Sequence, residues 1–182
     1  LWYESSEGVE AYKQYWQSHS YYGGGTIYVE NPNTVGQIFN GNLTYNKAGW
    51  VLHMLRGVMG DSIFFETLKS YAANDSLAYS SATTENFRLV CEDISNIDLY
   101  DFFQQWIYGE YYPKYELSWE ISHSGDLVVK IEQNQNWQIF NMPIELEVVL
   151  SQDTLKFIVN NQYQLEEYNL GPLEETPYAI FL

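Results

Sequence analysis

Tyr45 stands in the run Tyr45-Asn46-Lys47-Ala48-Gly49-Trp50-Val51-Leu52-His53-Met54-Leu55-Arg56, where a polar, glycine-rich stretch gives way to an apolar helical stripe. A tyrosine hydroxyl beside a reacting carbonyl can donate a hydrogen bond to the oxyanion that develops there. At the start of a helix that follows a mobile loop, such a hydroxyl would face a cleft. The plainer account is a surface tyrosine, one of 17, with its hydroxyl in water. Residue type alone leaves both accounts open.

The other reactive side chains group less well. His19, His53 and His123 are far apart, no HExxH occurs, and no two histidines lie one turn apart. No metal is therefore expected to be held by this chain alone. His53, between Leu52 and Met54, reads as packed or half-exposed. Cys91, the lone cysteine, falls on an apolar helical stripe and reads as a buried, inert thiol. It excludes an internal disulfide and leaves the compartment undetermined. The carboxylates form no convincing dyad. Glu4, Glu7 and Glu10 read as a wet helix face, and Glu92-Asp93, Glu166-Glu167 and Glu174-Glu175 as solvated faces or loops. Gly23-Gly24-Gly25 leads to no Lys-Ser/Thr and is not a phosphate loop; a plain connector is the simpler role. No serine lies in a GxSxG elbow.

The elements that must position these residues change character near Pro113. Before it, apolar residues recur at helical spacing. Residues 5–18 read as the end of one helix, with Val9, Tyr12, Tyr15 and Trp16 on one side. An irregular stretch over 20–42 follows, long enough to suggest function or packing on a neighbour. A helix is expected at about 45–59, stopped by Gly60. Asp61 is placed to cap a second at about 62–73, Thr83 or Thr84 a third around Phe87 and Cys91, and Asp98 a fourth around Phe102, Phe103 and Trp106. From Tyr115 the period becomes two. Tyr115–Ile121 and Leu127–Ile131 form a hairpin across Ser124-Gly125-Asp126, and Ile144–Leu150 and Leu155–Val159 give two further strands. Short strands near 162–168 and 177–182 complete the pattern. The expected class is α+β: an all-α helical bundle over 1–114, then a small antiparallel β-sandwich over 115–182.

With 24 acids against 8 bases, the net charge of −16 repels phosphate backbones and anionic lipid, so neither nucleic acid nor a membrane is an expected partner. No apolar run of 18 residues occurs, so no membrane-spanning helix is expected. The chain opens Leu1-Trp2-Tyr3-Glu4 without a Met or a signal peptide, and reads as a piece cut from within a longer polypeptide.

The order of these features resembles the aminopeptidase N family of zinc metallopeptidases, the gluzincins. Leu1-Trp2-Tyr3-Glu4 is similar to the segment after the family's third zinc ligand. The run from Tyr45 is similar to its Tyr-x-Lys-Gly tyrosine and apolar helix. Gly60-Asp61-Ser62-Ile63-Phe64-Phe65, Ser81-Ala82-Thr83-Thr84-Glu85-Asn86-Phe87, Phe102-Phe103-Gln104-Gln105-Trp106-Ile107-Tyr108-Gly109 and Tyr112-Pro113 follow in the family's order. The likeness covers residues 1 to about 120, and extends more loosely through Gln133-Asn134-Gln135 and Met142-Pro143-Ile144. One departure is Ala48-Gly49, where the family usually has Gly-Ala.

The resemblance implies a fragment of a zinc-dependent aminopeptidase that removes N-terminal residues from peptides. The fold would be the C-terminal helical part of a thermolysin-like catalytic domain followed by a β-sandwich. The zinc, held by HExxH and a downstream glutamate, would belong to the upstream catalytic half of the same polypeptide. Peptide would bind in the parent's cleft, this piece forming one wall with Tyr45 as the oxyanion donor. Many bacterial members are exported, so an exported parent is compatible with the resemblance. The competing reading is a non-catalytic, peptidase-derived binding or scaffold module, which a buried Tyr45 bonded to backbone would favour. A carbohydrate-binding β domain would need a flat row of exposed Trp or Tyr, whereas Trp119 and Trp137 read as strand-face packing. Residues 1–182 alone are expected to bind no zinc and to hydrolyse no aminoacyl amide, which metal analysis of the purified chain and a release assay would check.

Overall fold

The structure is a computed structural model and describes residues 2–182; Leu1, where the resemblance begins, lies outside the described residues. The chain divides into two compact units between Tyr111 and Tyr112. The first is helical and the second is built of antiparallel strands, so the chain is α+β as the two periodicities require.

In the helical unit the expected single helix before residue 18 is two helices, α1 (Trp2–Glu7) and α2 (Val9–Ser18), broken at Gly8. Val9 and Tyr15 stay exposed, so the stripe read there is only partly used. A four-residue helix, α3 (Val35–Ile38), carries a capping box between Thr34 and Gln37. The helix expected from Tyr45 starts later, as α4 (Ala48–Met59), because Gly41–Lys47 winds as a π-helix. Helix α4 buries Val51, Leu55 and Met59 and leaves Leu52 on the surface.

Helix α5 (Asp61–Ala73) follows directly. Asp61 does not cap it; both of its carboxylate oxygens accept from Arg56, at 2.7 and 2.8 Å. Glu4 is not part of a wet face either. It accepts from the same guanidinium at 2.7 Å, tying α1 to α4. That hydrogen bond is the main reason its carboxyl lies below the usual glutamate range. Thr83 caps α6 (Thr84–Ser95) through a box with Asn86. In α7 (Tyr100–Phe103) and the π-helical segment Gln104–Tyr108 that continues it, Phe102, Phe103 and Trp106 turn inward with Leu99. Asp98 accepts from the Tyr100 N–H at 3.0 Å. No helix among the described residues is long and apolar enough to cross a membrane.

The β unit has six strands: β1 (Tyr115–Ile121), β2 (Asp126–Gln133), β3 (Met142–Val149), β4 (Thr154–Asn161), β5 (Leu165–Pro172) and β6 (Ala179–Phe181). They form two sheets of order β1-β2-β5 and β4-β3-β6, with every pairing antiparallel. Alternation puts Leu127, Val129 and Ile131 of one sheet and Ile144, Leu146 and Val148 of the other into a shared core. At one end of this core the buried Gln133 amide donates to the Phe140 carbonyl (2.7 Å) and to Asn161 Oδ1 (2.6 Å). Gln133 Oε1 in turn accepts from Gln135 and from the Phe140 N–H. Gln133 and Gln135 of the β-region likeness thus form, with Asn161, a satisfied polar knot in an apolar sandwich.

Glu174-Glu175 lies in an exposed loop as expected, and one acid of each pair in this unit also serves as a latch. Glu175 accepts from the Ser151 N–H and hydroxyl. Glu166 accepts from the Gln162 N–H (2.6 Å), the Tyr163 N–H (3.0 Å) and the Asn161 amide (2.7 Å), closing the β4–β5 turn. Burial alone would raise the Glu166 carboxyl; the Tyr163 and Gln162 N–H groups, with Tyr168 and Asn161, outweigh it and hold the pKa below the ordinary glutamate value. A carboxyl depressed in the folded state stabilises fully above its unfolded pKa, and the stabilisation is lost as pH falls through the folded value. Glu166→Ala should therefore cost about 1 kcal/mol at pH 7 and much less at pH 3, read from urea denaturation of the β unit at the two pH values.

Candidate functional site

The π-helical turn Gly41–Lys47 is assembled by backbone and short polar side chains. Asn40 Oδ1 accepts from the N–H groups of Asn42 (2.9 Å) and Leu43 (3.0 Å), and Thr44 Oγ1 donates to the Ile38 carbonyl at 2.8 Å. At the other end the Ala48 N–H donates to the Leu43 carbonyl, the wide i to i−5 bond that defines the turn. Tyr45 lies within it, 57% exposed, and its hydroxyl makes no hydrogen bond among the described residues.

Two residues on, Lys47 is only 7% exposed. Its ammonium donates to the Gly25 carbonyl at 3.0 Å and to the Gly109 carbonyl at 2.9 Å. Burial lowers its pKa, and the nearby Glu110 carboxylate opposes that shift. The contacts join the loop before the turn, the turn itself and the end of the second π-helical segment. Sequence reasoning passed over Lys47. The available signal was the lysine between Tyr45 and an apolar helix, in a chain with only 8 basic residues.

The stretch 20–42 is anchored here rather than free. The Ile27 and Tyr28 N–H groups both donate to the Ile107 carbonyl at 3.1 Å, and the Gly25 N–H donates to Glu110 at 3.0 Å. Gly25 has φ +105°, and a Cβ there would meet Leu43 Cδ1 at 2.8 Å. The triple glycine is therefore a junction squeezed between the turn and residues 110–111.

Behind α4 lies an aromatic cluster. The Tyr12 hydroxyl and His53 Nδ1 are 3.1 Å apart, and Trp16 and Trp50 surround the imidazole. Burial lowers the His53 pKa and the Arg56 charge adds to this, with Glu4 opposing both. The Trp16 ring lies directly over Gly49, where any Cβ would clash with it. On another side of α4, Ala48, Val51, Leu52, Phe87, Phe102 and Ile107 line part of an open apolar groove of about 430 Å³, and Tyr45 is not among its lining residues.

The remaining candidates stay apart. Burial pushes the Cys91 thiol up to about 12, which removes it as a nucleophile at neutral pH. Among the described residues no three His, Cys, Asp or Glu side chains come together as metal ligands. In the β unit Trp119 packs against the core and the Trp137 indole donates to the Tyr112 carbonyl.

The sequence model described as the Peptidase family M1 domain matches residues 5–106. The chain belongs to peptidase family M1. In fold it is similar to Legionella pneumophila aminopeptidase A, solved in complex with aspartic acid, with a TM-score of 0.71 and 16% identity over 84% of this chain. The chain spans 18% of that protein's length. No curated protein matches it. Family M1 peptidases are typically zinc-dependent, and the described residues of this M1 chain offer no set of side chains that fits the ion.

Gly25→Ala should destabilise the helical unit by about 1–3 kcal/mol through backbone strain, while Gly41→Ala, which meets open space, should cost much less. Urea denaturation of the two variants checks the difference.

Proposed function

We propose that this chain is part of an M1 aminopeptidase that removes N-terminal residues from peptides, and that its helical unit supplies one wall of the cleft. The zinc ligands of that enzyme lie outside the residues described here, and the chain alone is inactive. Tyr45 is the group that acts on substrate. Its hydroxyl donates a hydrogen bond to the oxygen of the scissile carbonyl, and the bond strengthens as negative charge develops there.

The observation that carries this reading is an exposed phenol, unbonded among the described residues, on a turn pinned at both ends. An oxyanion donor must be free of intramolecular partners and yet fixed in place, because catalysis comes from dipoles already oriented before the charge appears. The scaffold reading asked for a buried Tyr45 bonded to backbone, which its 57% exposure does not fit; the enzyme reading asked for a hydroxyl facing an open, polar concavity, and the apolar groove beside α4 does not include Tyr45 in its lining.

In the intact enzyme Tyr45→Phe should lower kcat by roughly 10²–10³ while metal content stays the same. Unchanged turnover would remove Tyr45 from the mechanism.

A further inference from the structure

We infer that Lys47 is a positioning residue for Tyr45, acting by clamping the carbonyls of Gly25 and Gly109 to the π-helical turn that carries the phenol. The part that concerns turnover rests on the reading of Tyr45 above; the part that concerns geometry does not.

The placement of this lysine is chemically unusual. The chain has 24 acidic and 8 basic residues, and its other interior-facing cations are shared between carboxylates: Arg56 by Glu4 and Asp61, Arg88 by Glu85 and Glu92. Lys47 instead makes its contacts, at 3.0 and 2.9 Å, with backbone carbonyls. A neutral amide could satisfy a carbonyl without the cost of taking a charge out of water. What an ammonium adds is a strong, compact donor with three N–H groups on a long stem, able to reach carbonyls that are remote from each other in sequence. Here they are 22 residues before it and 62 after it.

Tyr45 has no tether of its own among the described residues, so the position of its hydroxyl is inherited from the backbone of its turn. Asn40 fixes the N-terminal end of that turn. Lys47 fixes the C-terminal end, and with Glu110, which holds the Gly25 N–H, it closes a ring around the junction. Releasing the ammonium frees the turn to shift relative to the loop and to the second π-helical segment. Displacements of about 1 Å at a reacting group are enough to cost up to 10²-fold in rate.

The test has two parts. In the 182-residue chain, 3-fluorotyrosine placed at position 45 should give one narrow ¹⁹F resonance, which Lys47→Met broadens or splits while circular dichroism shows the helices intact. An unchanged resonance would overturn the inference. In the intact enzyme, Lys47→Met should lower kcat roughly 10–100-fold with KM and metal content little changed, and Lys47→Arg should recover part of the loss. In a Tyr45→Phe background the same change should cost less than about threefold, since the group it positions is gone. Fully additive losses would show that Lys47 acts independently of Tyr45 and would also overturn the inference. If Lys47→Met does not fold, Lys47→Arg is put through the same ¹⁹F and double-variant comparisons, and those results decide. A perturbed ¹⁹F signal combined with a Tyr45→Phe enzyme of normal turnover would leave the geometric inference standing and sink the oxyanion role instead.

Discussion

One buried ammonium group ties three irregular stretches of the helical unit to one another. Lys47 joins three pieces of backbone that no continuous element connects: the glycine loop, the turn bearing Tyr45 and the end of the segment after α7. Each of these pieces has strained or non-standard geometry, whether Gly25 at φ +105° or the two π-helical stretches. Such conformations persist only where surrounding contacts over-determine them. The Gly25 N–H on Glu110, the two N–H groups on the Ile107 carbonyl and the Asn40 cap supply the rest of those contacts. Both π-helical stretches and Gly25 thus gather around the turn of the residue proposed to meet substrate, while Tyr79 and Asn96 hold positive φ elsewhere.

The β unit solves the opposite problem. Its strands are regular, its side chains alternate, and its core is apolar except for Gln133, Gln135 and Asn161. Those amides satisfy one another and the Phe140 backbone, so the knot costs little and specifies how the β2 end meets the β3–β4 end. Acids close the turns from outside: Glu166 between β4 and β5, and Glu175 on Ser151. A strongly acidic chain therefore uses its carboxylates as backbone acceptors as well as for solubility.

Much of this was legible before the fold was known. Period two after Tyr115 located the six strands, with β5 falling a few residues later than expected, because alternation over a two-layer core is a strong local signal. Thr83 and Gly60 marked helix ends because capping is a property of one turn of chain. The failures share a physical cause: each turns on a partner in another element of the fold, which a local pattern does not show. Asp61 looked like a cap because Arg56 could not be seen beside it, Glu4 looked solvated for the same reason, and α-helical periodicity from Tyr45 hid a π-turn that depends on Gly25 and Gly109. Tyr45 itself stood out by type and context, and so did a lysine two residues on, but the bonds of that lysine to Gly25 and Gly109 left no local trace.

The swapped pair Ala48-Gly49 shows how a departure from family pattern can be read physically. The Trp16 ring of α2 lies against the backbone of α4 where Gly49 offers no Cβ, and Trp50 and His53 pack around that ring from the same helix. Alanine at 49 would push Trp16 off α4 and open the aromatic cluster that docks α2. Alanine at 48, by contrast, faces the apolar groove, where a methyl group adds to the lining. Gly-Ala in that order would put the methyl under the tryptophan and the gap in the groove. In this chain the Trp16 ring and the bare Gly49 backbone therefore form one contact that a side chain at 49 would break. Because the exchange preserves length, the register from Lys47 back to Tyr45 is untouched.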